Sequence, residues 1–335
     1  MTAGQPIDLG VFVPINGVDQ WLTLRGVDVR NPPLLIVGGP GAAFSRLAPF
    51  FAPWEASFTL VQWDQPGGGA TWARNGDEGT GPLSLERLMA DAIVVTQWVL
   101  SRLGAERLVL LGLSGGSILG LMMIRARPDM FSVYVSGGQV VNWARQEAMS
   151  YAMVLDRAHA EGDAAAINEL EQLGPPPWPD TAADAVKSKY AGALTPAERE
   201  AFAALDPSVM AAVDAPPQGA SWRPPGLEQP DGRARAMAAY DELRPEILAF
   251  DALTLGSNFQ VPMIFIQGDQ DAYTPTSLVQ AYEEEIQAPL KTVAIIEGGG
   301  HAVVFMRDAF LSRLLADVRP LAADRRATRP RDPSP

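Results

Sequence analysis

The chain has 335 residues, with 39 Asp+Glu against 26 Lys+Arg, no cysteine and two histidines, for a formal net charge of -13. With 47% of residues apolar and 19% charged, it has the composition of a globular protein of one large or two ordinary domains. The missing cysteines exclude a disulfide framework and thiolate metal sites, two histidines leave little for an imidazole-rich metal centre, and the acidic body repels phosphate backbones.

In chain order, Gly10 to Arg25 alternates around Asn16-Gly17, the turn chemistry of a β-hairpin. The first basic residue is Arg25 and no apolar run follows Met1, so no secretory leader is expected and a cytoplasmic location is. Short apolar runs follow at Leu34–Val37, Thr59–Trp63, Leu108–Leu111, Val133–Val135, Met263–Ile266 and Val293–Ile296. Strands apolar on both faces and spaced by helical stretches predict an α/β fold with a mostly parallel sheet covered by helices.

One connecting helix is well marked. Ser84 is its N-cap, apolar residues recur at helical spacing from Leu85 to Leu103, and Gly104 stops it. The uncharged stretch Leu108 to Ile124 approaches the length of a membrane span, but its central glycines and serines read as a buried strand turning tightly into a buried helix. Between 139 and 255 the strand runs give way to Ala-rich helical patterns broken by prolines, and Thr195-Pro196-Ala197-Glu198 forms a capping box there. The expected organisation is a core at 1–138 and 256–319, a helical cap at 139–255, and a disordered tail at 320–335. Arg319, Arg325, Arg326, Arg329 and Arg331 mark that Pro-rich end.

The chemistry is expected at Gly112-Leu113-Ser114-Gly115-Gly116, a G-x-S-x-G sequence between strand and helix, as a nucleophile elbow requires. A nucleophilic serine needs a base. His159 sits in the helical insertion and reads as a surface residue, whereas His301 follows a strand and Gly298-Gly299-Gly300 at the sheet edge that also carries Ser114. The orienting acid precedes the histidine in elbow hydrolases. Asp269 and Asp271 both follow the strand Met263–Ile266; Asp271 is the preferred acid and Asp269 a turn residue. Backbone amides of Gly39 and Gly115 are the expected oxyanion donors. Gly38-Gly39-Pro40-Gly41 is not a phosphate loop, since neither the P-loop nor the dinucleotide glycine pattern is present.

These residues resemble an α/β-hydrolase of the proline iminopeptidase (prolyl aminopeptidase) family. Val37-Gly38-Gly39-Pro40-Gly41 is similar to its HGGPG loop, Trp63-Asp64-Gln65-Pro66-Gly67-Gly68-Gly69 to its DQRGxG segment, and Ser114-Gly115-Gly116-Ser117 to its elbow. Val37 stands where the family has histidine and Pro66 where it has arginine. The resemblance covers roughly Gly10 to Gly138 and Gly256 to Val318, and implies a triad of Ser114, Asp271 and His301 beneath a helical cap. It also implies release of small N-terminal residues such as proline; the family holds the substrate amine with cap glutamates in a Trp-rich context, a motif that does not align onto this insertion. Asp156, Glu161, Asp241 and Glu242 are the candidate acids, and each also reads as a solvated helix face.

Gly38, Trp143 and Met153 are expected substrate contacts, with Tyr151, Trp178 and Trp222 as further aromatics for an apolar pocket or for the core of the cap. The expected partner is a small amide, ester or short peptide, with no nucleic acid, membrane, metal or organic cofactor. A carboxylesterase or lactonase with the same triad, and a non-catalytic ligand receptor, are the alternatives. Dehalogenase and epoxide hydrolase chemistry is disfavoured, because it needs an aspartate where this elbow carries Ser114.

Overall fold

The computed structural model describes residues 4–322 except 225 and 228–231. Eight strands form one sheet: β1 (Ile7–Ile15), β2 (Val18–Gly26), β3 (Pro33–Val37), β4 (Thr59–Asp64), β5 (Leu108–Leu113), β6 (Phe131–Gly137), β7 (Met263–Gly268) and β8 (Lys291–Ile296). Their order is β1-β2-β4-β3-β5-β6-β7-β8, antiparallel through β1, β2 and β4 and parallel from β4 to β8. Asn16, at φ 46, and Gly17 close the hairpin that the Asn-Gly pair predicts.

The central strands are apolar on both faces because each face meets its own core. Leu35, Leu110 and Phe265 pack into one, whereas Leu34, Ile36, Val109 and Leu111 pack into the other beside Phe50, Trp54 and Phe310. The helices are α1 (Ala48–Phe51), α2 (Gly69–Thr80), α3 (Leu85–Leu103) and α4 (Gly116–Ala126), then α5 (Trp143–Glu161), α6 (Ala164–Leu173), α7 (Thr181–Ala191), α8 (Pro196–Ala203), α9 (Pro207–Asp214) and α10 (Gly232–Leu248) between β6 and β7. After β7 come α11 (Thr276–Glu285), α12 (Arg307–Arg313) and α13 (Arg319–Ala322).

Helix α3 begins and ends where its caps predict: Ser84 accepts from the Arg87 amide, and Gly104 adopts the left-handed conformation. The uncharged stretch from Leu108 is β5 followed by α4. Among the described residues no helix is long and apolar enough to cross a membrane.

The insertion between β6 and β7 is not uniform. Helices α5 and α7 reach over the sheet edge, but α8 and α9 fold down beside the core, where Phe202 of α8 meets Phe305 at 6.5 Å between ring centroids. Helix α10 is tied to the opposite side of the core, with Glu242 accepting from the Leu83 amide at 2.7 Å and Glu246 from the Leu85 amide at 3.1 Å.

The expected tail boundary at 320 needs correction, because Arg319–Ala322 is helical. Ala322 is buried against the second core, and Arg319 Nε donates to the Ser57 carbonyl. Pro320 is compatible with this helix because proline is tolerated in a first turn. The rest of the tail, with Arg325, Arg326, Arg329 and Arg331, lies outside the described residues.

Candidate active site

The turn from β5 to α4 places Ser114 above the sheet with φ at 51°, a left-handed conformation that a non-glycine residue adopts only under strain. The surrounding glycines permit it sterically. A β-carbon at Gly116 would overlap the Val37 carbonyl oxygen, and one at Gly112 would lie 2.9 Å from the Ser117 Cα. Strand and helix thus approach more closely than side chains would allow.

Ser114 Oγ lies 2.8 Å from His301 Nε2, and His301 Nδ1 lies 3.1 Å from Asp271 Oδ2. Asp271 is fully buried and accepts the Tyr273 and Thr274 amides, both at 2.8 Å, and the Thr274 hydroxyl at 2.6 Å. Burial pushes its carboxyl up, but the nearby His301 charge and these hydrogen bonds outweigh it and hold it below the usual value. The Tyr273 ring lies 4.8 Å from the imidazole and walls one side of it. Asp269 is exposed, and His159 is exposed on α5, 3.9 Å from Glu171 Oε1 and remote from this group.

Gly39 and Gly115 abut: a β-carbon at Gly115 would sit 3.2 Å from the Gly39 Cα. The Gly39 loop is gripped from β4. Gln65 donates its side-chain amide to the Gly38 carbonyl at 2.9 Å and its backbone amide to the Ala42 carbonyl at 3.0 Å. Buried Asp64 accepts the Ser45 amide at 3.0 Å, the Ser45 hydroxyl at 2.9 Å and the Ala70 amide at 2.9 Å, joining the loop to the start of α2. Desolvation raises the Asp64 carboxyl to about 6 against these hydrogen bonds and the nearby Arg46. The loop therefore has supports of its own in a chain with Val37, rather than histidine, at the end of β3.

A cavity of about 670 Å³ opens above Ser114, walled by Gly39, Gly115, His301 and residues of the insertion. Trp143 lines it. Gly38 does not, since it sits behind the loop with its carbonyl on Gln65. Met153 is also misplaced by the sequence reading: it lies 37% exposed on the outer face of α5, because the helical period carries it away from the inner face that Trp143, Gln146 and Glu147 share. Trp178 is buried beside Tyr151 inside the insertion, and Trp222 stacks on Arg25 at the hairpin.

Sequence reasoning missed the acids of this cavity. Asp156 and Glu161 are exposed, Asp241 accepts from Thr181, and Glu242 is committed to Leu83; the carboxylates in the wall are Glu147 and Asp184. Each has a cation against it. Lys187 Nζ lies 2.8 Å from Glu147 Oε2 and 4.4 Å from the Tyr273 ring centroid, and Arg244 lies 2.9 Å from Asp184. Desolvation raises the Glu147 carboxyl, with Lys187 opposing it. The available signal was the α5 period, which puts Glu147 four residues beyond Trp143 on one face. Among the described residues no group of three or more His, Cys, Asp or Glu is arranged to hold a metal ion.

No protein-family model matches the chain. It is similar to the probable aminopeptidase YbaC of Bacillus subtilis (strain 168), 28% identical over 295 residues that cover 86% of this chain and 88% of that protein. Among solved structures it resembles the proline iminopeptidase-related protein of Thermus thermophilus, with TM-score 0.61 and 17% identity over 94% of this chain and 99% of that one. It also resembles an alpha/beta hydrolase fold protein from Chitinophaga pinensis, with TM-score 0.59 and 16% identity over 93% and 98%.

Proposed function

We propose that this chain, an α/β-hydrolase of the proline iminopeptidase-like type, cleaves its substrate through an acyl-enzyme on Ser114. The observation that carries the reading is the continuous path from Ser114 Oγ through both ring nitrogens of His301 to buried Asp271, at the floor of a cavity large enough for a small acyl group. In this reading Ser114 Oγ attacks the substrate carbonyl carbon as its proton passes to His301 Nε2, and Asp271 keeps Nδ1–H oriented and balances the imidazolium. The oxygen that becomes negative faces the Gly39 and Gly115 amides, where each such donor contributes about 3 kcal/mol to the transition state. Collapse expels the amine or alcohol with the His301 proton. Water then attacks the ester of Ser114 with His301 as base, and the acid leaves.

The substrate class best supported is a short peptide or amide with a free amine next to the scissile carbonyl. Glu147 and Asp184 are the wall carboxylates that would receive the amine. A second reading, a neutral ester or lactone, is favoured by Lys187 and Arg244, which already balance those two charges.

One panel separates the two: Pro-, Ala- and Leu-arylamides beside p-nitrophenyl esters and lactones, assayed with the wild type and Ser114→Ala. Arylamide turnover that is lost when the α-amine is blocked is the expected result, and ester turnover alone establishes the second reading. Equal activity of Ser114→Ala, or a fluorophosphonate that leaves Ser114 unlabelled, overturns both.

A further inference from the structure

The Thr195 capping box does more than start a helix. Glu198, the third residue of α8, is 1% exposed and uses its two carboxylate oxygens on different partners: Oε2 accepts the Thr195 amide at 2.9 Å, as a capping box requires, while Oε1 accepts the amide of Gly300 at 2.8 Å. Thr195 shares the task. Its hydroxyl accepts the Glu198 amide at 3.1 Å and donates to the Gly298 carbonyl at 2.6 Å. The segment gripped in this way, 298–300, leads directly into His301. Its other side rests on the acid loop, where Gly299 O accepts the Gln270 amide at 2.8 Å and packs so tightly on Gly268 that a β-carbon there would overlap it.

We propose that Glu198 and Thr195 are positioning residues for His301, a clamp supplied by the helical insertion to the core loop that carries the base. The inference rests on the reading of Ser114, His301 and Asp271 as the reacting triad. Its physical basis is that His301 has one ring nitrogen on Ser114 and the other on Asp271, so the main chain before it has little freedom if both contacts are to persist. The Glu198 side chain accepts one amide with each of its oxygens, so a single group ties the start of α8 to the loop before His301. It also follows that α8 belongs with the core during turnover, and that any opening of the cavity involves the other helices of the insertion.

The test uses the full chain carrying Glu198→Ala, Glu198→Gln, Thr195→Val or Thr195→Ser. Turnover of the best substrate from the panel is expressed per serine titrated to completion with a fluorophosphonate, so that misfolded molecules do not count. A base displaced by a fraction of an ångström predicts kcat per titrated site lower by about 10- to 100-fold in Glu198→Ala, with KM within about two-fold of wild type. Glu198→Gln, which keeps one acceptor oxygen, falls between the two, and Thr195→Ser restores what Thr195→Val loses.

A merely structural role lowers the titratable fraction and the melting temperature and leaves kcat per titrated site unchanged, which overturns the proposal. Should Glu198→Ala yield no folded protein, the Thr195→Val and Thr195→Ser pair decides in the same way. The underlying triad fails separately: His301→Ala or Ser114→Ala with wild-type turnover refutes that reading whatever Glu198 does.

Discussion

Replacing Lys187 by methionine removes one half of the Glu147–Lys187 pair that stands behind the cavity wall. Lys187 is 1% exposed, with its ammonium 2.8 and 3.0 Å from the two Glu147 oxygens and over the Tyr273 ring. Truncating one partner of a buried pair leaves the other charge desolvated and uncompensated, a loss of about 3–5 kcal/mol. Glu147 already has its carboxyl raised by burial, with Lys187 the main opposing influence, so in Lys187→Met it rises further. Glu147→Gln alone strands the ammonium in the same way, whereas Lys187→Met combined with Glu147→Gln leaves no charge unpaired and should recover most of the stability, giving a coupling of about 2 kcal/mol or more in the double-mutant cycle. Urea unfolding of the four proteins at pH 7 measures it. A loss below about 1 kcal/mol in Lys187→Met, or a coupling near zero, means that water reaches the pair and refutes the reasoning. The same proteins report on recognition: if Glu147 receives a substrate amine, its neutralisation raises KM for amine-bearing arylamides and leaves neutral esters unchanged.

Gly116→Ala places a β-carbon on the Val37 carbonyl oxygen, so strand and helix must separate. The expected result is loss of fluorophosphonate labelling at Ser114, and wild-type labelling would show that the elbow tolerates the move. His301→Ala should abolish turnover while His159→Ala, at an exposed position on α5, should not change it; the kcat values check both. Asp64 supplies a pH signature. Its folded carboxyl titrates near 6 against an unfolded value of 3.8, so the folded state binds a proton that the unfolded state does not between those pH values. Stability from this group therefore grows as pH falls through 6 toward 4, by up to about 3 kcal/mol. Asp271 has the opposite sign: its carboxyl is held low, and the stability it contributes is lost as pH falls through its folded value. In urea unfolding from about pH 4.5 to 7.5, the difference between wild type and Asp64→Asn should grow as the solution is acidified, and a flat difference refutes the assignment.

The elements that sequence made legible are those whose cause is local. Strands apolar on both faces, the Asn16-Gly17 turn, the Ser84 and Gly104 caps and the elbow glycines each follow from residues within a few positions of one another, and each lies where its chemistry requires. His301 and Asp271 were legible for a related reason, since both follow a strand of one parallel sheet and such ends share an edge. The cavity wall was not. Glu147 and Asp184 become site residues only through the packing of α5, α7 and α10, elements of weak apolar contrast in which exposed and lining acids have similar neighbours in sequence. Met153 was misplaced for that reason, and Glu198 was legible as a helix start but not as a hand on the histidine loop, because its second partner is 102 residues away. The consequence is specific: local pattern carried the proposed triad, while the charged pairs of the cavity wall sit in an insertion whose tertiary contacts sequence alone does not reveal. Changes of specificity in this chain should therefore be sought at Glu147, Asp184, Lys187 and Arg244, and losses of catalysis without loss of binding at the clamp on His301.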